Sequence, residues 1–244
     1  MKLLSIGNSF SVDAQRYLHE IAVYDGFELD TGNLYKGGCS LEQHCGFMQT
    51  GEKGYEFFLN NESKGGFTLL EGLEYDDWDI ITVQQASHFS GISETYYPYL
   101  TELVAYVRKL KPKAEIVMHE TWAYEFNSTH HAFPNYKSDR RLMHTKLKAA
   151  YTEAAAEIGA RILPVGDAVC LARENPVFDP EKGGTALTRD GFHLSLTLGR
   201  YLAAAVWYEC LTGRDIRNIG FRPEGEETDE MYEILKDVCH KVTQ

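Results

Sequence analysis

Lys2-Leu-Leu-Ser-Ile6, running directly into Gly7-Asn8-Ser9-Phe10-Ser11, is the stretch on which the reading of this chain turns. A short apolar run that stops at a glycine is the pattern of a buried strand in a parallel sheet. Gly-Asn-Ser then turns the chain out of the strand, so Ser9 emerges at the carboxyl edge of the sheet. In open α/β sheets that edge is where ligands bind. The same tripeptide also serves as a plain strand-to-helix turn, in which Ser9 or Ser11 only caps the next helix. The rest of the chain decides between these uses.

Far downstream, Thr188-Arg189-Asp190-Gly191-Phe192-His193-Leu194 carries an Asp and a His three residues apart. A serine hydroxyl becomes a useful nucleophile when a base takes its proton and an acid orients that base. One turn supplies both partners, so the expected set is Ser9 as nucleophile, His193 as base and Asp190 as orienter. No Gly-x-Ser-x-Gly occurs, which removes the nucleophile elbow of the α/β-hydrolases. The rival serine, Ser40 in Gly37-Gly38-Cys39-Ser40, reads better as the N-cap of a following helix with Glu42 and Gln43 in its first turn. Arg189 can pair with a substrate carboxylate or with a nearby acid.

Strand and helix patterns alternate along the chain. Strands are expected at 3–6, 27–35, 79–83, 115–118 and 161–163. Helices are expected at 12–24, 40–48, 97–110, 139–158 and 195–211, with a surface helix at 228–242. A β-hairpin insertion is expected at about 55–69. Five strands interleaved with helices call for a parallel sheet covered on both faces, in one α/β domain spanning 1–244.

The two end segments together resemble the SGNH/GDSL hydrolase superfamily. Gly37-Gly38-Cys39-Ser40-Leu41-Glu42, Trp78-Asp79 through Gln84-Gln85-Ala86-Ser87, Thr121-Trp122-Ala123-Tyr124 and Asp190 to Ser195 sharpen the likeness to the DUF4886-type SGNH-like proteins of bacteria, in the same order over residues 2–212. The resemblance implies a three-layer α/β/α sandwich, flavodoxin-like in strand order, with a five-stranded parallel sheet. It implies hydrolysis of small O-acyl esters, acetyl esters of carbohydrates being the favoured class. A thioesterase, a lysophospholipase and a catalytically silent carbohydrate-binding relative are the alternatives. It also places oxyanion donors at Ser9 and Gly38, where a glycine lets a backbone N–H approach a developing charge. The third donor in that superfamily is an Asn in Gly-x-Asn-Asp. Here Gln84-Gln85-Ala86-Ser87-His88 stands instead, so Gln84 or Gln85, but not both, is expected to aim its amide at Ser9, with Ser87 as a lesser candidate. Asn8, His88, Trp122 and Tyr124 are the expected substrate contacts.

Composition limits the alternatives. The 244 residues are 43% apolar and 25% charged, an ordinary globule, with 12 Phe and 15 Tyr. A formal charge of −12 argues against nucleic acid or an anionic membrane as partner. His119-Glu120 opens like a zinc-binding H-E-x-x-H, but Ala123 occupies the second His position. His130-His131 are adjacent, which on a regular element points their rings apart. No metal or cofactor is therefore expected. Cys39, Cys45, Cys170, Cys210 and Cys239 are odd in number and lack C-x-x-C spacing, as expected of reduced thiols. With no export segment ahead of the first strand, the expected location is the cytoplasm.

Overall fold

The structure is a computed structural model that describes residues 1–244. The chain runs through β1 (Lys2–Gly7), α1 (Ser9–Gln15), α2 (Leu18–Tyr24), β2 (Asp30–Tyr35), α3 (Leu41–Thr50), β3 (Tyr55–Leu59), β4 (Glu62–Phe67), α4 (Leu69–Glu74), β5 (Ile80–Val83) and α5 (Tyr99–Leu110). It continues through β6 (Glu115–His119), α6 (Arg140–Ile158), β7 (Arg161–Leu163), α7 (Val165–Ala172), α8 (Leu198–Thr212) and α9 (Asp229–Thr243).

The sheet has seven strands in the order β4-β3-β2-β1-β5-β6-β7 and is mixed, which corrects the expected five-stranded parallel sheet. Five strands are parallel, with β1 central between β2 and β5, and β6 and β7 following outward. The hairpin supplies the other two. β3 pairs antiparallel with β2 and β4 antiparallel with β3. Without the hairpin, β2 would present a row of unpaired backbone groups, and alternation within a strand carries no information about which edge it joins. β4 ends the sheet with Glu62, Ser63, Lys64 and Gly65, mostly exposed, the kind of edge that resists further pairing.

Helices α3 to α6 contact one another on one side, and α1, α2, α7, α8 and α9 form the second layer. β5 is buried along its whole length because both faces are covered. A single apolar cluster of 64 residues runs through the sandwich. α8 is buried nearly all round, as its sequence of small and aromatic residues requires.

Several elements differ from expectation: β2 begins at Asp30 and α8 at Leu198, each later than expected, and α4 and α7 were not among the expected helices. The single helix expected at 12–24 is two helices, broken at Arg16 and Tyr17, and the first begins at Ser9. Apolar spacing passes through Ala14, Leu18, Ile21 and Ala22 without interruption, so periodicity could not reveal the break. The hairpin ends at Phe67, because the Thr68 side chain and Glu71 close a capping box that starts α4 at Leu69. No helix is long and apolar enough to cross a membrane.

Candidate active site

The site is built where β1 hands over to α1. Asn8 is the N-cap, its side chain accepting from the Phe10 N–H, which leaves Ser9 as the first residue of the helix with its hydroxyl at the sheet's carboxyl edge. Asn8 also donates to the Cys39 carbonyl at 3.1 Å, tying this turn to the Gly37-Gly38 segment.

His193 reaches Ser9 from the far end of the chain. His193 Nε2 lies 2.8 Å from Ser9 Oγ, and His193 Nδ1 lies 2.7 Å from Asp190 Oδ2. The other Asp190 oxygen accepts from the backbone N–H groups of Phe192 and His193. Partial burial pushes the Asp190 carboxyl up, but the imidazole and the two N–H groups outweigh burial and hold it below the usual range. Asp190 is therefore an anion aimed at Nδ1, which leaves the lone pair of Nε2 for the serine proton.

The turn is held from several sides. Gly191 has φ of +88°, and a Cβ there would lie 2.9 Å from the Ser128 Cα. Thr188 and Leu194 form an isolated antiparallel bridge. The Trp122 indole donates to the Phe192 carbonyl at 2.6 Å and stacks on Phe10 with centroids 4.2 Å apart. Asp13 of α1, 1% exposed, accepts from the Leu194 N–H at 2.9 Å and pairs with Arg189 and Arg200. Asp13 and Arg200 were not among the residues expected at the site. The available signal was a charged residue on the buried face of a helix, four positions after Ser9, with an arginine inside the apolar pattern of α8 to neutralise it.

A cavity of about 370 Å³ opens over Ser9. Asn8, Gly38, Ser87, His88 and Arg189 are among its polar walls, and Phe10, Tyr35 and Phe192 are its aromatic ones. The Gly38 N–H makes no hydrogen bond within the protein, and Gly38 has φ of +64° with open space where a Cβ would stand.

The family described as Domain of unknown function (DUF4886) matches residues 2–241. The chain belongs to the DUF4886 family. A DUF4886 family protein from Bacteroides uniformis ATCC 8492 is 36% identical, with a TM-score of 0.93, over 99% of this chain and 94% of that one. A putative SGNH hydrolase from Slackia heliotrinireducens is 22% identical, covering 86% of this chain and 97% of that one, at a TM-score of 0.56. The acetyl xylan esterase AlAXEase is 12% identical, covering 86% of this chain and 100% of that one, at a TM-score of 0.57. At such identities the last two show the fold alone, an α/β fold resembling that of the SGNH hydrolase. No curated protein matches the chain.

In this DUF4886 protein neither glutamine aims its amide at Ser9, a correction to the expected third donor. Gln84 Nε2 donates to Asn8 Oδ1 at 2.9 Å, and its Oε1 lies 2.9 Å from His119 Nδ1. Burial pushes His119 down to about 3, so the imidazole is neutral and its Nδ1–H is the donor to Gln84. Gln85 Oε1 accepts from the Leu41 and Ala86 N–H groups, while its Nε2 donates to the Thr95 carbonyl and hydroxyl. β5 ends at Val83, so strand alternation no longer governs either residue; buried side chains claim the Gln84 amide, and mainly backbone groups claim that of Gln85. Gln84 acts on Ser9 only through Asn8. Ser87 lines the cavity and its hydroxyl meets the Tyr124 hydroxyl at 2.9 Å.

Replacing either glutamine with alanine is therefore expected to lower the unfolding free energy measured in urea, by about 1–3 kcal/mol for each buried group stripped of its partner. Turnover per folded Gln85→Ala molecule should stay within about tenfold of the parent, less than the 10²–10³ cost of a lost oxyanion donor. A drop of that size at unchanged stability would restore Gln85 as the donor.

Of the expected substrate contacts, Asn8 and His88 line the cavity, and Trp122 and Tyr124 do not. Both aromatics are fully buried, since such large rings gain more from packing under the loops than from standing above them. His130 also lines the cavity, and the His130 and His131 rings lie 4.5 Å apart and nearly parallel, because these neighbours occupy an irregular loop to which the alternation argument does not apply. Away from Ser9, the ligand atoms of Glu120, His144 and Asp167 lie within 4.8 Å of one another. They are engaged already: His144 and Lys148 each bond Asp167, and Glu120 accepts from the Asp167 N–H. All five cysteines are free.

Proposed function

We propose that this DUF4886 protein is a serine esterase that hydrolyses small O-acyl esters, acetyl esters of carbohydrates above all, through an acyl-enzyme. The observation that carries the reading is the continuous line of hydrogen bonds from Asp190 through His193 to Ser9, at 2.7 and 2.8 Å, opening into a cavity. As Ser9 Oγ attacks the acyl carbon, His193 Nε2 takes the hydroxyl proton, and Asp190 stabilises the imidazolium without accepting the proton itself. The carbonyl oxygen gains negative charge beside the Gly38 N–H and the Ser9 N–H, the latter free as the first of a helix. His193 returns the proton to the leaving alcohol. Water then attacks the acyl-enzyme by the same route, giving the acid and free Ser9. No step calls for a metal or an organic cofactor.

The cavity favours a short acyl group. Its walls mix Asn8, Ser87, His88, His130 and Arg189 with three aromatic side chains, whereas a thioesterase or lysophospholipase needs an apolar tunnel for its chain. Aromatic faces beside polar groups suit a sugar ring. The free thiols fit a reducing compartment, and we place the protein in the cytoplasm.

p-Nitrophenyl acetate and p-nitrophenyl decanoate, compared by kcat/KM, test the acyl preference. Acetate is expected to be the better substrate, and faster turnover of decanoate would transfer the assignment to an acyl-chain enzyme. A fluorophosphonate probe should label Ser9. Absence of both labelling and turnover would leave a carbohydrate-binding protein.

A further inference from the structure

The buried cluster behind the His193 turn holds more positive charge than it neutralises. Asp13 pairs with Arg189 at 3.1 Å and with Arg200 at 2.7 Å, and no other carboxylate lies within ion-pair distance of either guanidinium. Two cations facing one anion leave one positive charge in excess. The Arg200 side chain is 18% exposed, whereas that of Arg189 is 33% exposed and lines the Ser9 cavity. Only Nη1 of Arg189 is engaged, by Asp13 and by the Leu194 carbonyl, so its Nε and Nη2 make no hydrogen bond within the protein. Those two nitrogens form one edge of the guanidinium, the edge that takes a carboxylate with two parallel hydrogen bonds. Arg189 lines the cavity, so in a chain of net charge −12 it sets a cationic donor beside the ligand.

The reaction geometry says which part of the ester that edge meets. The Arg189 N–H donates to the His193 carbonyl at 2.9 Å, so both residues belong to one turn. His193 gives its proton to the leaving alkoxide, which sets the alcohol portion of the ester against this turn and the acyl oxygen toward Gly38. An anion beside Arg189 belongs to the alcohol and not to the acyl group. Past Tyr35 and Gly37, which line both spaces, the cleft continues into a second cavity of about 540 Å³ that has Lys36 on its wall.

We propose that the alcohol portion of the substrate is a carboxylate-bearing sugar, recognised by the free edge of Arg189 as a specificity-determining residue. The proposal rests on the esterase reading and names its substrate class. A matched pair of probes tests it: mono-O-acetyl methyl glucuronide against mono-O-acetyl methyl glucoside, which differ only in a carboxylate for a hydroxymethyl group. The parent protein is expected to prefer the acidic ester by roughly tenfold in kcat/KM, the scale of a hydrogen-bonded charge pair open to solvent on one side. That preference should shrink with added salt, vanish in Arg189→Gln and persist in part in Arg189→Lys. Since Arg189 also holds Asp13, the ratio between the two esters is the readout and not either rate alone. Equal rates for the pair, or a preference that survives Arg189→Gln, would overturn the proposal. If neither ester turns over, calorimetric binding of unacetylated methyl glucuronide and methyl glucoside separates the two ideas. Tighter glucuronide binding that Arg189→Gln abolishes would support acidic-sugar recognition while the esterase reading fails, and equal binding would overturn it.

Discussion

Ser9→Ala is expected to lower acetyl-ester turnover by about 10⁴ to 10⁶ while leaving the urea midpoint close to that of the parent. Ser9 contributes no cap and no buried hydrogen bond to the fold, because Asn8 caps α1 and the Ser9 hydroxyl meets only His193. Ser40→Ala should behave in the opposite way. Its hydroxyl accepts from the Gln43 N–H in a capping box, so its loss costs about 1 kcal/mol of stability and leaves turnover intact. Ester hydrolysis and urea denaturation on the two variants check this crossed pattern. Full activity in Ser9→Ala with loss in Ser40→Ala would remove Ser9 from the reaction.

Asp190→Asn is expected to cost about 10² to 10⁴ in turnover with little change in KM. The amide keeps the shape of the carboxylate and can still accept from the Phe192 and His193 N–H groups, so the turn should hold. What changes is the proton on the ring. An amide nitrogen facing Nδ1 favours the tautomer that carries its proton on Nε2, and such a ring cannot accept from Ser9. The Asp190 side chain is 40% exposed, so water can replace part of its effect, which places the expected loss below that of Ser9→Ala. Turnover within a fewfold of the parent would mean that His193 is oriented by the Trp122 and Asp13 contacts alone.

The backbone of the site was legible for a definite reason. A strand that ends at Gly7 must deliver the next residues to the sheet edge, and an Asp three residues before a His can bond its ring within one turn. Ser9, His193 and Asp190 therefore stood out, and the structure brings them within hydrogen-bond distance across 184 residues of chain. Ser40 as an N-cap was equally readable, because capping is local and depends on a few consecutive residues.

The glutamines were not readable in the same way. Gln84 and Gln85 carry the right donor, but where an amide goes depends on which buried groups lack partners, and those belong to Asn8, His119, Leu41, Ala86 and Thr95. Three of the five, Asn8, His119 and Leu41, are distant in sequence. The same limit applies to Trp122 and Tyr124, whose loops were placed above the sheet edge while their rings turned inward.

By itself, the sequence determined most of the alternation of strands and helices, the Ser40 cap, and the three residues that meet at the edge of β1, since each follows from local geometry or from spacing within one element. Tertiary structure alone decided that the hairpin extends the sheet to seven strands, that Asp13 anchors the His193 turn between two arginines, and that one edge of Arg189 remains free. Those outcomes depend on pairing between distant segments, where a buried backbone group or charge takes whichever partner the packed fold brings within reach.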